Sequence, residues 1–185
     1  MHVNEIIKPV EEGVNDPHIF KAVFLAGGPG SGKSFVANKM LSGTGLRTVN
    51  SDDIYEYMMG KAGKELTPDN IYSDEGQEIR NRAKQITKNK EASHIEGRLG
   101  LIIDGTGKDV AKVQKASEQL KSLGYETMML FVNTSEDVAQ DRNSARARSL
   151  PKEQVTKMWQ IVQQNLMKFQ QLFGAGNFHI VDNSG

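Results

Sequence analysis

The chain contains no cysteine among its 185 residues. It therefore has no disulfide, no thiolate metal site and no cysteine nucleophile, which is compatible with the cytoplasm. No apolar run approaches the roughly 18 residues that a membrane-spanning helix needs, and the first residues lack the basic-then-apolar pattern of a signal peptide. We predict a cytoplasmic protein that does not contact a membrane.

An excess of charge of either sign is also absent, because 23 basic side chains balance 23 acidic ones. A protein without net charge does not attract nucleic acid over its whole surface, so any site for a polyanion must be local. The 185 residues, with 37% hydrophobic and 25% charged side chains, are typical of one globular domain with a sizeable core. We assign that domain to residues 21–185, after an N-terminal extension at residues 1–20.

One glycine-rich segment carries most of the functional information. An apolar run at residues 22–26 is followed by Gly-Gly-Pro-Gly-Ser-Gly-Lys-Ser, and then by residues that can form a helix. A strand, a glycine loop and a helix in this order are typical of a phosphate-binding P-loop. The predicted nucleotide-binding residues are Gly27, Gly28, Pro29, Gly30, Ser31, Gly32, Lys33, Ser34 and Phe35.

The parts of this loop have separate tasks in binding a nucleoside triphosphate. The glycines allow backbone N–H groups to point at phosphate oxygens, and the helix that follows adds the positive end of its dipole. Lys33 places a cation on the β- and γ-phosphates, and the Ser34 hydroxyl can coordinate Mg²⁺. The alternative is a plain glycine turn, which eight matching positions disfavour. We therefore predict that the chain binds a nucleoside triphosphate with Mg²⁺.

Strands alternate with helices from residue 21 onward, which predicts an α/β fold. The pattern indicates a P-loop NTPase-type parallel sheet with helices on both faces, whose ligands bind at the carboxyl ends of the strands. Residues 60–75 are polar and indicate turns. The expected strands span residues 21–26, 47–50, 101–104, 126–132 and 178–181. The expected helices span residues 33–42, 53–59, 74–93 and 109–123, one from a cap at Thr134 or Ser135 into residues 142–148, and one from Pro151.

Two neighbouring acids follow the second predicted strand. Phosphoryl transfer to an alcohol benefits from a carboxylate that accepts the hydroxyl proton, and Asp52 is our candidate for this base. We assign Asp53 to the binding of the acceptor. Two alternatives stay open, because Asp53 could be the base and both acids could instead cap the next helix.

A third carboxylate ends the apolar strand at residues 101–104. In folds of this kind such a carboxylate holds Mg²⁺, usually through water, so Asp104 joins Ser34 as a predicted metal-binding residue. The alternative is a plain turn aspartate. Thr106 could form a hydrogen bond with the acceptor or cap the helix that follows.

A basic segment at residues 142–152 contains four cations and no acid. Arg142 and Arg146 are four residues apart, which places them on one face of a helix. Arginines on a helical lid can close over the triphosphate and neutralise the charge that develops in the transition state, so both are predicted catalytic residues together with Lys33 and Asp52. The alternative is a solvated basic helix end.

A second basic stripe extends from Arg80 to Arg98 and contains six cations against two acids. It could hold an anionic acceptor or form a solvated helix face. The stripe contains no aromatic residue, so stacking of nucleic-acid bases has no support there.

Four segments together resemble the small P-loop kinases. They are similar to the kinase domain of phage-type polynucleotide kinases and to zeta-toxin kinases, except that Tyr55 stands where polynucleotide kinases carry an arginine. The segments are residues 27–34, 49–53, 103–106 and 142–146. The resemblance implies that Asp52 is the general base, that Arg146 is the lid arginine with Arg142 beside it, and that residues 104–106 line the acceptor site.

The resemblance further implies an Mg²⁺-dependent kinase that transfers the γ-phosphate of ATP to a hydroxyl of a nucleotide-like acceptor. This acceptor could be a polynucleotide 5′-hydroxyl, a nucleotide or a nucleotide sugar. Nucleic acid is thus a candidate substrate although the net charge does not indicate it, and the sequence identifies no protein partner. The alternative is an ATPase or nucleotide-dependent switch with water as acceptor, which a carboxylate beside a basic lid disfavours.

Overall fold

The computed structural model describes residues 19–146 and 149–185. Most of the predicted extension at residues 1–20 lies outside the described residues, and so does the end of the helix that was predicted to reach residue 148. Among the described residues, no helix is both long enough and apolar enough to cross a membrane.

In the part of the chain that the structure describes, five parallel strands form the sheet, in the order β2-β3-β1-β4-β5. They are β1 Lys21–Ala26, β2 Arg47–Val49, β3 Leu101–Asp104, β4 Glu126–Asn133 and β5 Phe178–Asp182. Each of them agrees with the predicted strand to within one residue. Apolar residues alternate between the two faces of β1, so that Phe24 packs into one core cluster and Val23 and Leu25 into another. The predicted parallel sheet with two covered faces is therefore confirmed.

Seven helices connect and flank these strands in the described part of the chain. They are α1 Lys33–Leu41, α2 Ser51–Lys61, α3 Pro68–Tyr72, α4 Asp74–Glu96, α5 Val110–Ser122, α6 Glu136–Ser144 and α7 Lys152–Phe173. The core on one face of the sheet includes Phe169 and Phe173 from α7, whereas the core on the other includes Val36 and Ala37 from α1. Helices α2 and α4 pack together around Tyr55 and form a third, smaller cluster.

Three of the differences from the predicted helices each have a local hydrogen bond as their cause. Helix α3 forms in a stretch expected to be turns, because the Thr67 side chain caps it and Pro68 occupies its first turn. Helix α2 begins two residues earlier than predicted because Asn50 caps it. Helix α6 ends at Ser144, since the Asn143 side chain bonds both the N–H and the C=O of Leu150 and draws the chain back.

The contact between α3 and α4 depends on a glycine, which gives a stability prediction. A Cβ at Gly76 would lie 2.0 Å from the carbonyl oxygen of Asn70. We expect Gly76→Ala to lower the free energy of unfolding by about 1–3 kcal/mol, measured by urea denaturation, because backbone must shift to make room.

Gly60 in α2 provides the matched control, since a Cβ there would meet nothing within 4 Å. Gly60→Ala should raise the free energy of unfolding by about 0.5–1 kcal/mol, because alanine loses less backbone entropy in a helix. Equal stability of Gly76→Ala and the wild type would contradict the described packing of α3 on α4.

Candidate active site

The predicted site residues meet at the carboxyl edge of the sheet because of the strand order. The glycine loop follows β1, Asp104 ends β3, and the acidic pair follows β2. Since β3 lies between β1 and β2, Asp104 lies between the glycine loop and Asp52–Asp53. The topology thus converts three distant segments into neighbours.

Left-handed backbone and outside contacts fix the glycine loop. Gly30 and Gly32 have φ angles of 75° and 81°, a region that favours glycine. A Cβ at Gly30 would lie 2.2 Å from the Ala139 carbonyl oxygen of α6, so the loop is pressed against that helix. Asn183, which follows β5, donates a hydrogen bond of 2.8 Å to the Ser31 carbonyl.

The remaining loop residues differ in exposure. Gly28 lies beside Trp159 of α7, where a Cβ on the glycine would be 3.6 Å from the tryptophan Cα. Ser34 is exposed at the start of α1. Phe35, a predicted nucleotide-binding residue, is 63% exposed, and the Lys39 ammonium lies 5.9 Å from its ring centroid.

Lys33 lies among the charged groups that the sequence assigned to catalysis. Its Nζ donates a hydrogen bond of 2.7 Å to the Gly27 carbonyl. Burial lowers the pKa of Lys33, and the nearby charge of Arg146 lowers it further, whereas Asp104 and Asp52 raise it. The loop lysine, two carboxylates and one arginine are therefore close enough to interact.

Asp104 is a half-buried carboxylate with one satisfied and one unsatisfied oxygen. Its Oδ2 accepts a hydrogen bond of 3.1 Å from Asn50, while its buried Oδ1 has no hydrogen-bond partner among the described residues. Burial raises the pKa of Asp104, Lys33 lowers it, and Asp53 and Asp52 raise it. An unsatisfied acceptor at this point fits a cation or its bound water.

The donor set fits magnesium better than a metal held by protein alone. No group of three or more His, Cys, Asp or Glu side chains in residues 19–146 and 149–185 could hold a metal ion by itself. Mg²⁺ in phosphoryl-transfer sites needs only one or two protein ligands, because water and phosphate oxygens supply the others. The Ser34 hydroxyl and the Asp104 carboxylate meet that requirement.

Asn50 links the two acidic segments, and the sequence analysis gave it no role. Its Oδ1 accepts a hydrogen bond of 2.8 Å from the Asp52 backbone N–H, which caps α2. Its Nδ2 donates to Asp53 and to Asp104, at 3.1 Å each. An asparagine between a strand and a helix with acids in its first turn is the signal that predicts such a cap.

These bonds decide two of the open alternatives. Neither Asp52 nor Asp53 caps α2, because Asn50 does. Thr106 does not cap α5, because Asp109 accepts the hydrogen bond from the Lys112 N–H. The Thr106 carbonyl instead accepts a bond of 3.2 Å from the Gly27 N–H and so joins the β3 loop to the glycine loop.

The two lid arginines do not share a helix face, which corrects the sequence prediction. Helix α6 ends before Arg146, which lies in the turn held by Asn143. Arg142 donates to the backbone carbonyls of Asn183 and Gly185, at 2.7 and 3.3 Å. Arg146 therefore lies within electrostatic range of Lys33, whereas Arg142 binds the segment after β5.

A family model described as an AAA domain matches residues 23–166. The chain belongs to this AAA domain family. The match begins in β1 and ends in α7, so it includes the glycine loop, the three aspartates and both arginines of the site. A comparison with curated protein sequences finds no match.

Solved structures with the same fold include P-loop kinases. A chain of the PezAT toxin–antitoxin system of Streptococcus pneumoniae matches with a TM-score of 0.65 and 18% identity, over 88% of this chain and 68% of that one. A chain of the Pnkp1/Rnl/Hen1 RNA repair complex matches with a TM-score of 0.61 and 18% identity, over 88% and 49%. Shikimate kinase from Bacteroides thetaiotaomicron matches with a TM-score of 0.51 and 14% identity, over 88% and 86%. The fold is that of a P-loop kinase.

The raised pKa of Asp104 predicts how stability depends on pH. The folded state binds the Asp104 proton more tightly than the unfolded state, so ionisation lowers stability as pH rises from 3.8 to the raised folded pKa. Asparagine cannot ionise. We expect Asp104→Asn to gain stability relative to the wild type in urea denaturation as pH rises above 3.8, until the folded-state pKa of Asp104 has been passed.

Asp109→Asn is the control for this comparison, because aspartate and asparagine cap a helix almost equally well. The change of stability with pH should be larger for Asp104→Asn than for this variant. The opposite result would be that the wild type becomes more stable relative to Asp104→Asn as pH rises. It would mean that the attraction of Lys33 affects the pKa of Asp104 more than burial does.

Proposed function

We propose that the chain is an Mg²⁺-dependent kinase that transfers the γ-phosphate of ATP to a hydroxyl of a nucleotide-like acceptor. The observation that carries the proposal is the position of Lys33, which lies within interaction range of Asp104, Asp52 and Arg146. A phosphate-binding lysine, a metal-binding carboxylate, a base and a charge-neutralising arginine are the parts that phosphoryl transfer needs. In this proposal residues 21–185 form the kinase domain, and residues 1–20 precede it.

The donor end of the site is assigned to the glycine loop. Backbone N–H groups of the loop and the Lys33 ammonium hold the triphosphate, for which Lys33 exchanges its bond to the Gly27 carbonyl. Ser34 and Asp104 would hold Mg²⁺, which neutralises phosphate charge when bound. The unsatisfied Oδ1 of Asp104 supports this assignment.

The acceptor hydroxyl is assigned to Asp52. As its oxygen forms a bond to the γ-phosphorus, its proton passes to the Asp52 carboxylate, and the bond from the γ-phosphorus to the bridging oxygen breaks to release ADP. Asp52 raises the pKa of Lys33, so its carboxylate lies within interaction range of the lysine that is assigned to the phosphates. Asp53 instead accepts a hydrogen bond from Asn50 and lines a groove beside β2, which suits acceptor binding.

The arginines are assigned to the charge that develops on the transferred phosphoryl group. Arg146 interacts with Lys33 from the turn after α6. Arg142 also lies beside the loop, because its Nη1 is 3.7 Å from the position of a Cβ at Gly32. Arginine suits this task since its guanidinium presents several donors in a plane to phosphate oxygens.

Transfer of label from γ-labelled ATP tests the proposal directly. The acceptors are a 5′-hydroxyl oligonucleotide, a mixture of nucleotides and a mixture of nucleotide sugars, assayed in parallel with Mg²⁺. We expect label on one acceptor class and its loss in Lys33→Ala. Free phosphate as the only product with every acceptor would support an ATPase with water as acceptor instead.

Exchange of each acid separates the roles of Asp52 and Asp53. Asp52→Asn should lower kcat by about 10²–10⁴-fold, because the base is lost. ATP binding should stay unchanged, measured by the fluorescence of Trp159, the one tryptophan, which lies next to Gly28.

Asp53→Asn is the matched control, with the same change of charge one residue away. It should mainly raise the KM for the acceptor. If Asp53→Asn loses kcat and Asp52→Asn keeps it, the two assignments must be exchanged.

A further inference from the structure

A groove extends along the edge strand β2, beside the proposed active site. Its volume is about 500 Å³, within the range of roughly 300–1,000 Å³ that is usual for small-molecule sites. Strand β2 lines one wall, and α4 lines the other with Thr87, Lys90 and His94. Asn50 and Asp53 lie at the end of the groove that adjoins Asp52 and Asp104.

The charges of the groove are divided along its length. Arg47 comes from the start of β2, and Lys90 and His94 lie four residues apart on one face of α4. Asp53 is the one acid among the lining residues, and it lies at the opposite end of the strand. Burial and Asp52 raise the pKa of Asp53, and Lys90 lowers it, so Lys90 lies within range of this carboxylate as well. The groove therefore has a carboxylate at the active-site end, Arg47 at the other end, and Lys90 within range of both Asp53 and His94.

Lys90 and Arg47 both lie close enough to His94 to disfavour its protonated form. Burial lowers the pKa of His94, and the charges of Lys90 and Arg47 lower it further. The Nε2 atom of His94 is buried and has no hydrogen-bond partner among the described residues. An anion between these side chains would accept hydrogen bonds and reduce the repulsion.

We propose that the cationic end of the groove, formed by Arg47, Lys90 and His94, binds a phosphate group of the acceptor. This inference rests on the proposed kinase function, and it adds where the acceptor lies and what it must carry. Arg47 begins the strand whose other end leads to Asn50 and the acids, so the acceptor would carry its phosphate away from the hydroxyl that receives the new phosphate.

Asp53 gives this arrangement a direction. A phosphate placed at the active-site end would meet the carboxylates of Asp53 and Asp52, and like charges raise the energy of that pose. The hydroxyl end has no such penalty. Attraction at one end and repulsion at the other thus orient the acceptor, and uncharged alcohols of similar size would bind weakly.

Binding of uridine and uridine 5′-monophosphate tests the phosphate site without any need for catalysis. ADP and Mg²⁺ first saturate the glycine loop, so that the added phosphate cannot bind there. Amide NMR shifts at residues 46–50 and 87–94 then report binding in the groove. We expect the monophosphate to bind about tenfold more tightly than uridine, because hydrogen bonds to a charged group typically contribute that much to affinity.

Substitution of the two exposed cations provides the test of the residues. In the double variant Arg47→Gln/Lys90→Gln the preference for the monophosphate should fall to about one. Lys88→Gln is the matched control, because Lys88 lies on the same helix and is exposed but does not line the groove. It should keep the wild-type preference. A circular dichroism spectrum establishes that each variant is folded.

The outcomes distinguish a failed phosphate site from a failed kinase assignment. Preference for the monophosphate without any phosphoryl transfer would leave the site intact and overturn the function. Transfer with a KM for the acceptor that the double variant does not change would overturn the site and leave the function. Binding of the monophosphate elsewhere, or no binding of either nucleoside compound, would also overturn the site.

Discussion

The burial of Lys33 beside Asp104 is the constraint on which the active site depends. A buried ammonium is costly unless carboxylates lie close to it, and a buried carboxylate needs a cation in turn. The two residues belong to segments that meet only when β1 and β3 pair. The phosphate-binding lysine and the proposed metal-binding acid are therefore each stabilised by the other, and the sheet sets their separation.

Asn50 extends this arrangement to the acceptor side. One amide caps α2 and donates to both Asp53 and Asp104, so the direction of the helix and the positions of two carboxylates are coupled. The same carboxamide leaves the Asp52 side chain free of the capping task. The site thus contains one acid for each proposed role: proton acceptance, acceptor contact and metal binding.

Much of the fold could be predicted because local signals were strong. Apolar runs marked the strands, and the glycine loop between a strand and a helix located the site. Contacts between residues distant in sequence could not be predicted in this way. Asn183 donates a hydrogen bond to the Ser31 carbonyl, 152 residues earlier in the chain, and no motif near residue 183 indicates this bond. The predicted pairing of Arg142 with Arg146 failed because helical spacing cannot reveal that Asn143 ends the helix at Ser144. The neighbouring acids Asp52 and Asp53 differ in the structure through Asn50, which donates a hydrogen bond to the side chain of Asp53 and accepts one from the backbone N–H of Asp52.

The bond from Asn183 to the Ser31 carbonyl has a consequence for the order of assembly. The segment that holds the phosphate loop follows β5, which comes after the other four described strands in the chain. The loop can form its turns early. The hydrogen bond from Asn183 can form only after nearly all of the described domain has been synthesised and β5 has paired with β4. A growing chain would thus acquire nucleotide affinity late, and ATP would stabilise the finished domain in preference to its partly folded precursors.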